Sequence, residues 1–164
     1  MTGALIREAL PADAERIVAI HAAAVRGLRG RDPYGDAEIE AWSQIRSPDD
    51  LRELMATRRF VVADGSDGLL AYAVLDPEAA TLRSVYVHPR AQGRGLGRRL
   101  VQDALAAAQK AGITHLELDA APTSVSFYEG LGFAVLGDSE HRFRCGTRMT
   151  CVRMAQDLGG GPGE

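Results

Sequence analysis

The chain has 164 residues, 46% of them hydrophobic and 25% charged, enough for one globular domain with a buried core. Its net charge of −3 excludes a general affinity for nucleic acid, and no apolar run approaches the roughly 18 residues of a membrane span. Two cysteines, Cys145 and Cys151, are too few for a disulfide framework and lack metal-ligand spacing, so they read as free thiols in a reducing cytoplasm.

The amino terminus, Met-Thr-Gly-Ala-Leu-Ile-Arg-Glu, has no basic stretch followed by an apolar one, so no secretory signal is expected. Leu5 to Ala9 predicts a short strand. Pro11, with Asp13 and Glu15 after it, opens a helix whose apolar face is Ile17, Ile20, His21, Ala24, Val25 and Leu28. A turn-rich segment leads to a second helix, Asp36 to Ile45, that carries the single tryptophan, Trp42. Ser47-Pro48-Asp49-Asp50 is a start signal for a third, running to about Thr57. Arg59 to Ala63 and Leu69 to Leu75 read as a hairpin turned at Asp64 to Gly68, followed by a strand from Thr81 to Val87.

Pro89 stops that strand, and glycines at 93, 95 and 97 precede a helical rhythm that starts at Leu96 and closes at Gly112. A strand feeding a glycine loop that opens a helix can hold an anion. The first N–H groups of a helix have no partner inside it, and its dipole adds about half a positive charge there. Arg90, Arg94, Arg98 and Arg99 surround the loop. Beyond it come a strand from Ile113 to Leu118, a short helix from Thr123 to Gly130 and a strand from Phe133 to Leu136. Arg142–Arg144 and Arg148–Met154 read as the arms of a last hairpin, and Leu158 to Glu164 as a flexible tail.

Two common cradles fail on the residues. A P-loop needs Lys and then Ser or Thr after its last glycine, where Arg98 and Arg99 stand; a dinucleotide fingerprint needs glycine at 98. Gln92-Gly93-Arg94-Gly95-Leu96-Gly97 instead resembles the Q/R-x-x-G-x-G/A signature of the GCN5-related N-acetyltransferase (GNAT) family. Phe127-Tyr128-Glu129-Gly130-Leu131-Gly132-Phe133 is similar to that family's second landmark, about 30 residues downstream. The resemblance covers roughly residues 5 to 155.

It implies an α/β (α+β) fold with a central mixed, mostly antiparallel sheet of about seven strands flanked by helices. Residues 1–157 would form the domain and 158–164 the tail. It also implies acetyl-CoA as cosubstrate with no metal, and transfer of acetyl to a primary amine of a small molecule or peptide by direct attack, with no covalent acyl-enzyme. The main chain of Val85, Tyr86 and Val87 would bind the pantetheine arm, with an N–H near Tyr86 or Val87 polarising the thioester. Gln92, Gly93, Arg94, Gly95, Leu96, Gly97 and Arg98 would wrap the pyrophosphate, and Tyr128 would protonate the departing thiolate. Ala121 stands where the family often has an Asn that bonds the pantetheine. The segment from Leu28 to Trp42 would cover the acceptor.

No motif fixes the base. His21 reads as a core residue on an apolar stripe and His88 as exposed at the loop mouth. Of His115, Glu117 and Asp119, which alternate along one strand face, Glu117 is the candidate, beside a water chain to bulk. Neither nucleic acid nor membrane is an expected partner, a homodimer is open, and the location is cytoplasmic. The reading from a different class is a non-catalytic acyl-CoA-binding or sensor module.

Overall fold

The computed structural model describes residues 3–44 and 46–159. Strand β1 (Leu5–Glu8) leads through a 3-10 turn at Pro11–Asp13 into helix α1 (Ala14–Arg26). The stripe Ile17, Ile20, His21, Ala24 and Val25 is buried, as the helical spacing requires. Helix α2 (Asp36–Ser43) is shorter than expected, and Ile45 lies outside the described residues. Helix α3 (Pro48–Leu54) starts as its sequence dictates: Ser47 Oγ accepts the Asp50 N–H at 3.1 Å and Asp50 answers on the Ser47 N–H.

Strands β2 (Arg59–Gly65), β3 (Gly68–Asp76) and β4 (Thr81–Val87) form an antiparallel meander. Helix α4 (Leu96–Lys110) crosses back to strand β5 (His115–Ala120), which pairs parallel with β4. Helix α5 (Val125–Glu129) and the hairpin of β6 (Ala134–Arg142) and β7 (Arg148–Asp157) complete the chain. The seven strands lie in the order β1-β2-β3-β4-β5-β7-β6, mixed and mostly antiparallel.

Period-two alternation puts the two faces of β2 and β3 against different helices. Phe60, Val62, Tyr72 and Val74 pack with Ile17, Ile20 and Leu51 of α1 and α3. Val61, Ala63, Ala71 and Ala73 pack with Leu96 and Leu100 of α4. A second half-core joins Val101, Ala104 and Ala108 to Leu116, Leu118, Phe133 and Met154.

Two expectations change. Phe133–Leu136 and Arg142–Arg144 are not separate strands: β6 runs unbroken from Ala134 to Arg142 and pairs with β7. Its register skips Leu136, so a bulge there interrupts the alternation that would have revealed one long strand. Leu158 is no tail residue either. It is 8% exposed, donates its N–H to Thr114 O and accepts from Gln109 Nε2, while residues 160–164 of the expected tail lie outside the described residues. Among the described residues no helix is long and apolar enough to cross a membrane.

Leu100 is wholly buried between α4 and the meander. Leu100→Ala is therefore expected to lower unfolding free energy by about 2–5 kcal/mol, read from the midpoint of a urea titration.

Candidate active site

β4 and β5 touch at one pair only, Thr81 with Glu117, and then part. The pairing of β3 with β4 jumps from Leu75–Leu82 to Val74–Ser84, so Arg83 is the extra residue of a bulge in β4. A bulge bends its strand and sharpens the local twist, which carries β4 away from β5 just beyond the shared pair. The wedge holds a cleft of about 610 Å³, with Thr81 to Val87 on one wall and Leu118 to Ala121 on the other.

On the open edge the main chain of β4 has no strand partner beyond Thr81. Because the His88 N–H bonds Leu70 O on β3, alternation turns the main-chain groups of Tyr86 toward β3 and those of Val85 and Val87 toward the cleft. Gln92 Nε2 donates to Val87 O at 3.4 Å across this edge. Of the three residues expected to present a binding edge, Val85 and Val87 do so through the main chain. Tyr86 instead contributes its ring to the cleft, so that its side chain is more than core.

The glycine loop closes one end of the wedge. Gly93 and Gly95 have φ of +80° and +78°, a conformation open to glycine and strained for a side chain. Gly95 is the N-cap of α4, and Gln92, Gly93, Gly95, Leu96, Gly97 and Arg98 all line the cleft. Gly97 serves close approach: a Cβ there would stand 3.3 Å from the Phe127 ring. Of the four arginines only Arg98 lines the cleft. Arg94 folds back onto Arg90 O, and Arg99 reaches Ala4 O. The positive character of the loop thus comes mainly from N–H groups and the α4 dipole.

Tyr128 lines the far wall, half-buried, its ring against Phe127 and Phe133 at 5.0 and 5.8 Å. Burial, with a smaller contribution from Tyr86, pushes its phenol far above the ordinary value, so it keeps its proton. Ala121 lines the same wall and offers only a methyl group. Cys151 also faces the cleft, although sequence distance had separated it from the loop. Burial first, then the charge of Asp119, raises its thiol to about 11, which leaves it protonated and a poor nucleophile.

The remaining wall is aromatic. The Tyr72 hydroxyl donates to His21 Nδ1 at 3.1 Å, since His21 Nε2–H must donate to the carbonyl of Trp42 at 2.7 Å. Trp42 Nε1–H donates to Tyr86 Oη at 2.9 Å. Burial outweighs that bond and raises the Tyr86 phenol to about 12. Tyr34, behind Trp42, bonds Thr123 Oγ1 at 2.7 Å, tying the α1–α2 loop to the turn before α5. His21 is the core residue its position implied: 4% exposed and held neutral by burial, against the opposing pull of the Trp42 carbonyl.

Glu117, the expected base, is at the closed end of the wedge and does not line the cleft. His115 Nε2 bonds its carboxylate at 3.2 Å, and Asp157 holds the other ring nitrogen at 2.8 Å. Two residues along the same strand face, Asp119 does line the cleft, but Arg153 grips both its oxygens and Ser139 donates to one. Burial would raise its pKa, yet those bonds outweigh it and keep it ionised. His141, which sequence reasoning passed over, is the one imidazole in the lining and sits against Phe143 at 4.6 Å. Nothing local marks it: it reaches the site through β6–β7 pairing opposite Met149.

The sheet order, the parallel β4–β5 contact and the loop-capped cleft define an acetyltransferase fold. The structure aligns with a GCN5-related N-acetyltransferase from Rhodopseudomonas palustris at a TM-score of 0.83, with 24% identity over 96% of this chain and 97% of the other. It aligns with the PaiA N-acetyltransferase of Thermoplasma acidophilum, solved with coenzyme A, at 0.77, with 19% identity over 95% and 99%. A third match is yncA from Salmonella typhimurium, solved with acetyl-CoA, at 0.71 and 22% identity over 99% and 98%. The family model of the acetyltransferase (GNAT) domain matches residues 31–155, and the chain belongs to that family.

The buried neutral His21 gives a pH signature. Its folded pKa lies below the unfolded value of about 6.5, so its contribution to stability is complete above that pH and drains away below it. His21→Gln keeps a donor for the Trp42 carbonyl, so it should flatten the fall in unfolding free energy between pH 7 and 5 relative to wild type. Urea titrations at three pH values read this out.

Proposed function

We propose that the protein is an acetyl-CoA-dependent N-acetyltransferase that moves the acetyl group to a primary amine by direct attack on the thioester. The observation that carries this reading is the open edge of β4. Its main-chain groups at Val85 and Val87, which have no strand partner, lead to the glycine-opened N-terminus of α4, with a protonated Tyr128 across the gap.

Each residue then has a task. The Val85 C=O and the Val87 N–H pair with the amides of the pantetheine arm as a neighbouring strand would. The N–H groups from Gly93 to Arg98, with the α4 dipole and the Arg98 guanidinium, hold the pyrophosphate. The Val85 N–H, nearer the bulge and farther from the glycine loop, stabilises the charge that develops on the thioester oxygen. The amine nitrogen bonds the acetyl carbon as the carbon–sulfur bond breaks. Tyr128 delivers its proton to the departing sulfur, and His141, the imidazole in the cleft lining, accepts the proton of the amine. Asp119, clamped by Arg153, is unavailable for that step, and burial makes the Cys151 thiol a poor nucleophile, which favours direct attack over an acyl-enzyme. An exposed free thiol at Cys145 fits a reducing cytoplasm.

One feature favours a second reading, a binding module without turnover: Ala121 gives the pantetheine wall no side-chain donor. Thiol release from acetyl-CoA across a panel of primary amines separates the two. Tight acetyl-CoA binding with no release from any amine would leave the sensor. Tyr128→Phe is expected to lower kcat by roughly 100-fold and leave the thermal shift given by CoA intact. Gly95→Val forces a β-branched residue to the φ of +78° at the α4 N-cap, so it should abolish that shift.

A further inference from the structure

A second, smaller cavity of about 50 Å³ lies under α1 and α3, and Arg83 and Ser84 line both it and the cleft. Apolar side chains make much of its wall, Val18, Leu54 and Phe60 among them, but three arginines also line it, Arg46, Arg58 and Arg83. Against them stands one carboxylate, Asp76. Arg83 donates to Asp76 Oδ2 through Nε and Nη2 at 3.2 and 3.1 Å, and Arg58 Nε is 3.4 Å from the same oxygen. The Ala79 N–H already takes Oδ1. Arg46 makes no ion pair among the described residues. A further acid, Asp50, is engaged by the Ser47 N–H and feels Arg144 as well as Arg46.

One carboxylate shared by two arginines, with a third beside them, leaves the cavity positive. Burial, then the repulsion of Arg83, lowers the Arg58 guanidinium, with Asp76 opposing and Arg46 adding to the effect. A structural ion pair would be complete with one arginine. The surplus has a direction, because Arg83 is the bulged residue of β4 and lines both spaces. Ser84 and Val85 follow it at about 3.3 Å per residue, so the open edge begins within the length of a small molecule. The volume is room for roughly four water-sized positions, which suits a carboxylate and not a bulky group.

We propose that this arginine-lined cavity receives a carboxylate carried by the acceptor, which makes the substrate a small amino acid whose α-amino group is acetylated. This rests on the N-acetyltransfer reading and narrows its substrate. Arg46, Arg58 and Arg83 hold the carboxylate, and the neighbouring amino group then lies toward Val85. The apolar wall favours a short aliphatic side chain over a charged one.

Matched pairs test it. Free amino acids and their C-terminal amides are compared for thiol release, and 1-aminoalkyl phosphonates form a third arm. Each is also titrated into CoA-loaded protein. The free acids should exceed their amides by about 10- to 100-fold in kcat/KM, the range for a charge-assisted hydrogen bond, and should bind the CoA-loaded protein where the amides do not. Arg46→Gln, which breaks no ion pair, should bring that ratio toward one through KM. Phosphonates ahead of carboxylates would overturn the amino acid assignment in favour of a phosphonate- or phosphate-bearing amine. Amides equal to or better than acids overturn the subsite. If no amine releases thiol, the N-acetyltransfer reading fails. The binding titration still judges the cavity, and equal binding of acid and amide rejects it.

Discussion

The architecture depends on one broken contact, the loss of pairing between β4 and β5 after Thr81 and Glu117. Within a sheet, main-chain N–H and C=O groups are obligatory hydrogen-bonding groups, and leaving them unmade in a desolvated place costs about 1–3 kcal/mol each. Here the bulge at Arg83 forces the separation, and the main chain of Val85 and Val87 then faces a cleft instead of a neighbouring strand. The fold retains its strength because both halves of the sheet have their own core on α4. Leu96 and Leu100 grip the meander, while Val101, Ala104 and Ala108 grip β5 and β7. One helix holds the wedge open, and its N-terminus caps the wedge mouth.

The opposite wall is held by polar groups. Tyr72, His21, Trp42 and Tyr86 form a chain of hydrogen bonds from β3 through α1 and α2 back to β4. Every member has a hydrogen-bond partner, which a buried polar chain requires. The chain fixes the Tyr86 ring at the cleft and pins α2 beside it. That wall of the cleft is therefore an aromatic surface held by hydrogen bonds, and Tyr34 locks it to the turn before α5 through Thr123. The β6–β7 hairpin closes the remaining side with His141, Phe143 and Met149.

Local chemistry made the loop legible. Thr81 to Val87 runs as a strand between its expected ends because Pro89 stops it, and α4 begins at Leu96 because Gly95 supplies a cap no other residue reaches without strain. Tyr128 lines the cleft. What stayed hidden is non-local. Glu117, Asp119 and their strand face were plain, but only the pairing of β5 with β4 tells that Glu117 is at the closed end and Asp119 at the open one. His141 and Cys151 enter the site through the register of β6 with β7, which a bulge at Leu136 disguises. The bulge at Arg83 had no signature either: Thr-Leu-Arg-Ser-Val-Tyr-Val reads as an ordinary strand, and the residue that parts the sheet looks like any exposed arginine.

Amide hydrogen exchange, followed residue by residue with and without acetyl-CoA, tests the central claim most directly. If the parted edge of β4 is where the thioester arm docks, exchange slows at Val85 and Val87 and from Gly93 to Arg98, while Tyr86, already turned toward β3, changes little. Saturating acetyl-CoA that leaves Val85, Val87 and the loop exchanging at their unliganded rates would contradict the account.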